Sequence, residues 1–68
     1  MYRENVRKIR EAVGSGKLGE PFAAKEVNQA IGITYAGNFL PKHRIGGPRP
    51  LSEQHFEQVG RGLYRLKR

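Results

Sequence analysis

Lys42, Arg44 and Arg49 stand in a stretch with no acid between Glu26 and Glu53, and Arg61, Arg65, Lys67 and Arg68 close the chain with no acid after Glu57. Guanidinium and ammonium groups spaced this way, without carboxylates to neutralise them, do one kind of chemistry well: they hold phosphate or carboxylate oxygens. Residues 1–31 carry six basic residues and four acids, a balance of +2, whereas residues 32–68 carry seven and two, a balance of +5. The net charge of +7 on 68 residues gives a pI near 10.4, so the field is positive at any cellular pH and favours a polyanionic partner. The excess sits in the second half of the chain.

Other chemistries find little to work with. Gly14-Ser15-Gly16-Lys17 invites a phosphate-loop reading, but that motif needs a Gly where Glu11 stands and a Ser or Thr where Leu18 stands, after a strand rather than a helix. Glu53, His55 and Glu57 alternate and would share one face of a strand, a superficial metal or acid–base cluster. One His between two surface-type Glu is a poor ligand set, and Ser15 and Ser52 have no triad partners. With no Cys and no Asp, neither a disulfide, a structural zinc site nor a catalytic constellation is expected, and no cofactor is implied. No apolar run approaches the roughly 20 residues of a membrane span, so no membrane association is expected and a cytoplasmic setting fits.

The elements that must position the cations follow from the apolar pattern. A chain this short forms one domain, residues 1–68, and buries only about 60% of its unfolded surface, so the core is thin. Tyr2, Val6, Ile9 and Val13 recur at helical spacing and predict a helix over residues 2–13, ended by Gly14-Ser15-Gly16. Pro21-Phe22-Ala23 reads as a short extended piece. Ala24 to Ile31 reads as a second helix terminated by Gly32, followed by a tight turn through Ile33 and Thr34. A third, short or distorted helix falls within 35–44. Either Thr34 caps it and it kinks near Gly37, or Asn38 caps it and Pro41 lies in its first turn. Ile45 to Pro50 is turn chemistry. His55 to Val59 and Leu63 to Leu66 then read as two strands joined around Gly60-Arg61-Gly62, with Tyr64 and Leu66 on one face and Arg65 and Lys67 on the other.

Helix, short strand, helix, turn, helix and hairpin is an α+β order that resembles a winged helix-turn-helix domain. The hairpin Phe56-Glu57-Gln58-Val59-Gly60-Arg61-Gly62-Leu63-Tyr64-Arg65-Leu66 is similar to the final hairpin of several bacterial winged-helix families, including small winged domains attached to restriction-type endonucleases. The segment Gly37 to Gly46 also looks like its counterpart in small bacterial proteins of this kind. The resemblance implies binding of double-stranded DNA by a small regulator or a DNA-reading module, with helix three as reader and the hairpin as a wing on the backbone. The residues expected to carry it are Thr34 and Asn38 towards bases or phosphates, Lys42, His43, Arg44 and Arg49 beside helix three, and Arg61 and Arg65 on the wing. Pro41 departs from a regular reader helix, and few side chains there suit bidentate base contacts. Structured RNA or an acidic protein would be served by the same charge. Phe39 and Tyr64 are read as core rather than as stacking platforms.

Overall fold

A computed structural model describes residues 2–67, except for the side chain of Tyr2. The expectations for Tyr2 at the head of the first apolar stripe and for Arg68 therefore lie outside what is described. The elements are α1 (Tyr2–Gly14), α2 (Ala24–Ile31), α3 (Ala36–Lys42), a single 3₁₀ turn at Leu51–Glu53, β1 (Phe56–Gly60) and β2 (Leu63–Leu66). The architecture is α+β, three helices with a two-stranded antiparallel hairpin. No described helix is long and apolar enough to cross a membrane.

Each helix turns one apolar face to the core. Val6, Ile9 and Ala12 of α1 are buried, with Val13 packed beside them, and Val27 of α2 is fully buried. In α3 the buried set is Ala36, Phe39 and Leu40. Pro41 is the sixth of the seven residues in α3. Its missing N–H would have pointed at the carbonyl of Gly37, which is exposed, so water can take that acceptor and the helix tolerates the ring.

The hairpin is wider than its two strands. β1 and β2 pair Phe56 with Leu66, Glu57 with Arg65 and Gln58 with Tyr64, and a bulge at Val59 precedes the Gly60–Leu63 pair. The extended piece expected at Pro21 to Ala23 is a one-residue bridge. Phe22 and Tyr64 exchange both backbone hydrogen bonds, at 2.8 and 2.9 Å. On the other edge Arg44 bridges Phe56 in parallel sense, with the Ile45 N–H donating to the Phe56 carbonyl at 2.7 Å. A chain segment thus covers each edge of the hairpin, which leaves fewer backbone groups unpaired than an open hairpin would.

The core closes on three phenylalanines. The Phe56 ring meets Phe22 edge to face with centroids 6.3 Å apart, and meets Phe39 at 5.8 Å. Phe22 and Phe56 are fully buried and Phe39 is nearly so. Such T-shaped pairs add about 0.5–1.5 kcal/mol each to their area burial. Phe56→Ala should cost about 3–5 kcal/mol, against a total stability of roughly 3–10 kcal/mol for a domain of this length. Far-UV circular dichroism should find that variant with a strongly lowered melting midpoint, and Phe56→Leu with a smaller shift and a cooperative melt; a Phe56→Ala protein with an unchanged melting midpoint contradicts this account of the core.

Candidate nucleic-acid interface

The turn between α2 and α3 is built by one residue, Asn28, through its backbone carbonyl and its side chain. The Asn28 carbonyl accepts from Gly32 N–H at 2.9 Å and from Ile33 N–H at 3.1 Å, which closes the C-terminus of α2. Its Oδ1 accepts from Ala36 N–H at 3.0 Å, which caps the start of α3. Gly32 stands at φ 72°, a left-handed conformation that only Gly adopts without a steric penalty, and this lets the chain reverse within a few residues. Asn5 of α1 donates from Nδ2 to the Tyr35 hydroxyl at 2.9 Å and ties the turn to the first helix. Neither expected cap of α3 is the observed one. Tyr35 holds the cap position, and the capping oxygen comes from Asn28, eight residues upstream of Ala36.

This arrangement turns Gly37, Asn38 and Lys42 to solvent, with Thr34 also exposed just before the helix and Pro41 half-buried. Asn38 and Lys42 are four residues apart and share one side of α3. Lys42 forms no ion pair among the described residues. The loop that follows folds back on the end of α3. A Cβ on Gly47 would lie 3.0 Å from the carbonyl oxygens of both Pro41 and Arg44, an approach that only Gly allows. The buried Gln54 fastens the loop from the other side, donating from Nε2 to the Arg49 carbonyl at 2.8 Å and accepting from Gly46 N–H at 3.3 Å. Neither Asn28 nor Gln54 stands out in a search for site residues, since each acts on backbone groups distant in sequence.

The expected contact residues divide into three groups. Thr34, Asn38, Lys42 and Arg61 are exposed, the last in the hairpin turn, and neither Lys42 nor Arg61 has a carboxylate partner among the described residues. Arg44 is half-buried, its backbone bridged to Phe56. Arg49 lies 3.9 Å from Glu53, and Arg65 donates from Nε to Glu57 Oε1 at 2.6 Å across the strand pair. These two cations are exposed but engaged.

His43 is a correction. It was expected beside Lys42 and Arg44 as a charged contact, but it is only 3% exposed. Its ring packs on Phe39 with centroids 4.9 Å apart, and its Nδ1 is 2.9 Å from the Glu53 carbonyl. Its own carbonyl accepts from the N–H groups of His55 and Phe56. His43 continues the buried stripe Ala36, Phe39, Leu40 by one more helical turn and cannot reach a ligand on the surface. The alternation of Glu53, His55 and Glu57 likewise forms no common strand face, because Glu53 belongs to the 3₁₀ turn and Glu57 is paired with Arg65. Among the described residues no His, Cys, Asp and Glu group is arranged to hold a metal.

His55 is half-buried, and its pKa is lowered, first by burial and then by the charges of Arg10, His43 and Lys67, with Glu53 opposing. Comparison with known proteins yields no match to a family model, to a curated protein or to a solved structure.

Two measurements check this scaffold. Asn28→Ala leaves the buried Ala36 N–H without its acceptor and should cost about 0.5–2 kcal/mol in urea unfolding, while Asn28→Asp, which keeps the oxygen, should recover most of it. Equal losses in the two variants would mean the cap contributes nothing. The second concerns pH. Because the folded pKa of His55 lies below that of the unfolded chain, about 6.5, the unfolded state binds the proton more readily. Stability should be full above neutral pH and fall as pH drops through 6.5 towards the lower folded value. His55→Gln should flatten that fall between about pH 7 and 5; an identical slope in both proteins contradicts the assignment.

Proposed function

We propose that the chain is a winged helix-turn-helix domain that binds double-stranded DNA, with α3 facing a groove and the β1–β2 hairpin as the wing. The observation that carries this reading is the contrast between the two sides of α3. One side is wholly core, and the other offers Asn38, Lys42 and the small surface of Gly37, with Thr34 before it and no carboxylate on the helix. Arg61 in the hairpin turn adds a second exposed cation without an acid partner among the described residues. Small and polar residues beside cations let a phosphate backbone approach closely, and Asn and Thr can donate to phosphates and either donate to or accept from base edges. Two helices joined at the Gly32 turn, with the second fixed by Asn28, provide the rigid presentation that such contacts need.

Lys42 and Arg61 are the phosphate contacts in this reading, and the half-buried Arg44 adds its charge to the field. Arg49 and Arg65 must first leave Glu53 and Glu57, so they contribute to the field more than to individual contacts. Most of the affinity then comes from released counterions rather than from base reading.

Fluorescence anisotropy of a labelled random duplex at several salt concentrations tests the proposal. Affinity should fall steeply as salt rises. Lys42→Ala combined with Arg61→Ala should make the slope of log K against log salt shallower by roughly 2 units, near 0.9 per lost phosphate contact, and similarly on every sequence. Folding should persist, since neither side chain belongs to the core. A flat salt response, or a double variant with the parental slope, rejects the proposal, and better competition by duplex RNA than by duplex DNA reassigns the face to RNA.

A further inference from the structure

A cleft of about 570 Å³ lies on a different part of the molecule, between α1 and the chain over residues 52–55. Arg3, Val6, Arg7 and Arg10 of α1 form one wall, and Ser52 and His55 the other. We propose that this cleft binds an acidic peptide segment of another protein, seated with its carboxylates along the arginine row. The inference does not rest on the DNA reading, which uses α3 and the hairpin turn.

Three features identify the occupant. The first is the geometry of the cations. Arg3, Arg7 and Arg10 follow one another by four and three residues, so they share a face of α1 and span about 10 Å at 1.5 Å per residue. A line of guanidinium groups suits a linear ligand with several anions, such as successive acidic side chains, better than one compact anion. Arg10 has no ion-pair partner among the described residues and Arg7 holds only the exposed Glu11, a contact that an incoming carboxylate can replace.

The second feature decides between a peptide and a phosphate backbone. Glu11 and Glu53 belong to the same lining and repel any anion, carboxylate or phosphate alike. A peptide main chain offsets that repulsion with N–H groups that these carboxylates can accept from, which a phosphodiester backbone cannot offer. The third feature is apolar. Val6 is buried at the wall of the cleft, and Leu51, at the start of the adjoining 3₁₀ turn, is 76% exposed. Leu51 directly precedes the lining residue Ser52, so an acidic segment that also carries Leu or a similar residue could extend from the cleft over it, a contact that nucleic acid has no apolar side chain to make. The lowered pKa of His55, set by burial and by Arg10, His43 and Lys67 against Glu53, agrees with an excess of positive charge at this wall.

The test uses the full chain, ¹⁵N-labelled, with a blocked synthetic peptide of three Glu-Glu-Leu repeats as probe. Amide shift changes should concentrate at Val6, Arg10, Ser52 and His55. The His55 imidazole, which faces Arg10, His43, Glu53 and Lys67, should titrate at higher pH with the peptide bound, because carboxylates near it favour its charged form. Arg3→Gln with Arg10→Gln should weaken the peptide about tenfold or more through two lost charge-assisted contacts, with circular dichroism confirming an unchanged fold. A random duplex should perturb Asn38, Lys42 and Arg61 instead, so failure of the DNA reading leaves this result standing and the reverse holds too. Shift changes spread evenly over the basic residues overturn the proposal, as does the absence of any change at millimolar peptide. Inorganic phosphate or duplex DNA reproducing the peptide's pattern also overturns it.

Discussion

Phe56 holds this structure together through both its ring and its backbone. The ring joins Phe22, which leads into α2, to Phe39, which lies in α3, and so connects segments that share no continuous secondary structure. The backbone does the same in another direction. Its N–H is directed to the His43 carbonyl, its carbonyl accepts from Ile45, and its Cα partner in the hairpin is Leu66. A small domain buries too little surface to spread its stability over many independent contacts. The site inherits that dependence, since the segment leaving α3 is held by the same residue that anchors β1.

Around that hub, polar side chains take the place of longer helices and strands. Asn28 joins α2 to α3, Gln54 pins the loop at Gly46 and Arg49, and Glu20 accepts from Leu66 N–H at 2.7 Å across 46 residues of sequence. Glu26 accepts from Ala23 N–H at 2.8 Å and closes the first turn of α2. Each contact satisfies a backbone group that a short element leaves orphaned, and this is where such groups would otherwise cost most. The other four glutamates, Glu4, Glu11, Glu53 and Glu57, pair with Lys8, Arg7, Arg49 and Arg65. All six glutamates therefore have work inside the fold, and the cations without an acid beside them among the described residues, such as Lys42, Arg61 and Arg10, express the net positive charge.

Much of the fold was legible because it depends on periodicity. The stripe through Val6, Ile9 and Val13, the α2 span up to Gly32 and the alternation of Tyr64 and Leu66 are properties of neighbouring residues, and the structure keeps all three. The start of α3 was not legible, since its capping oxygen belongs to another helix and neither Thr34 nor Asn38 carries a mark that excludes it. His43 was misread for a different reason. Its flanks, Lys42 and Arg44, make it look like part of a charged run, yet Ala36, Phe39, Leu40 and His43 follow the helical period and aim it inward. Periodicity outranked composition there. The engagement of Arg65 could have been anticipated, because a turn centred on Arg61 sets Glu57 opposite it.

The cleft beside α1 shows why charge arithmetic along a chain is an incomplete guide to a binding surface. The first 31 residues look nearly balanced at +2, and on that basis the polyanion-binding elements fall in the second half. In the folded chain, however, a glutamate neutralises only the cation it reaches. Glu4 pairs with Lys8, Glu26 accepts from a backbone N–H and Glu11 pairs with Arg7, while Arg10 lies beside a wall supplied by residues 52–55. A local excess then arises in a region whose sequence balance is small. Two cationic surfaces of different texture result: an exposed helix side with small polar residues, and a recessed row of arginines edged by carboxylates. An open surface suits a broad, stiff polyanion, because it imposes little shape on its partner. Under the two proposals above, the recess would take a narrower chain that brings hydrogen-bond donors with its charge, so two basic surfaces of one small domain need not share a partner.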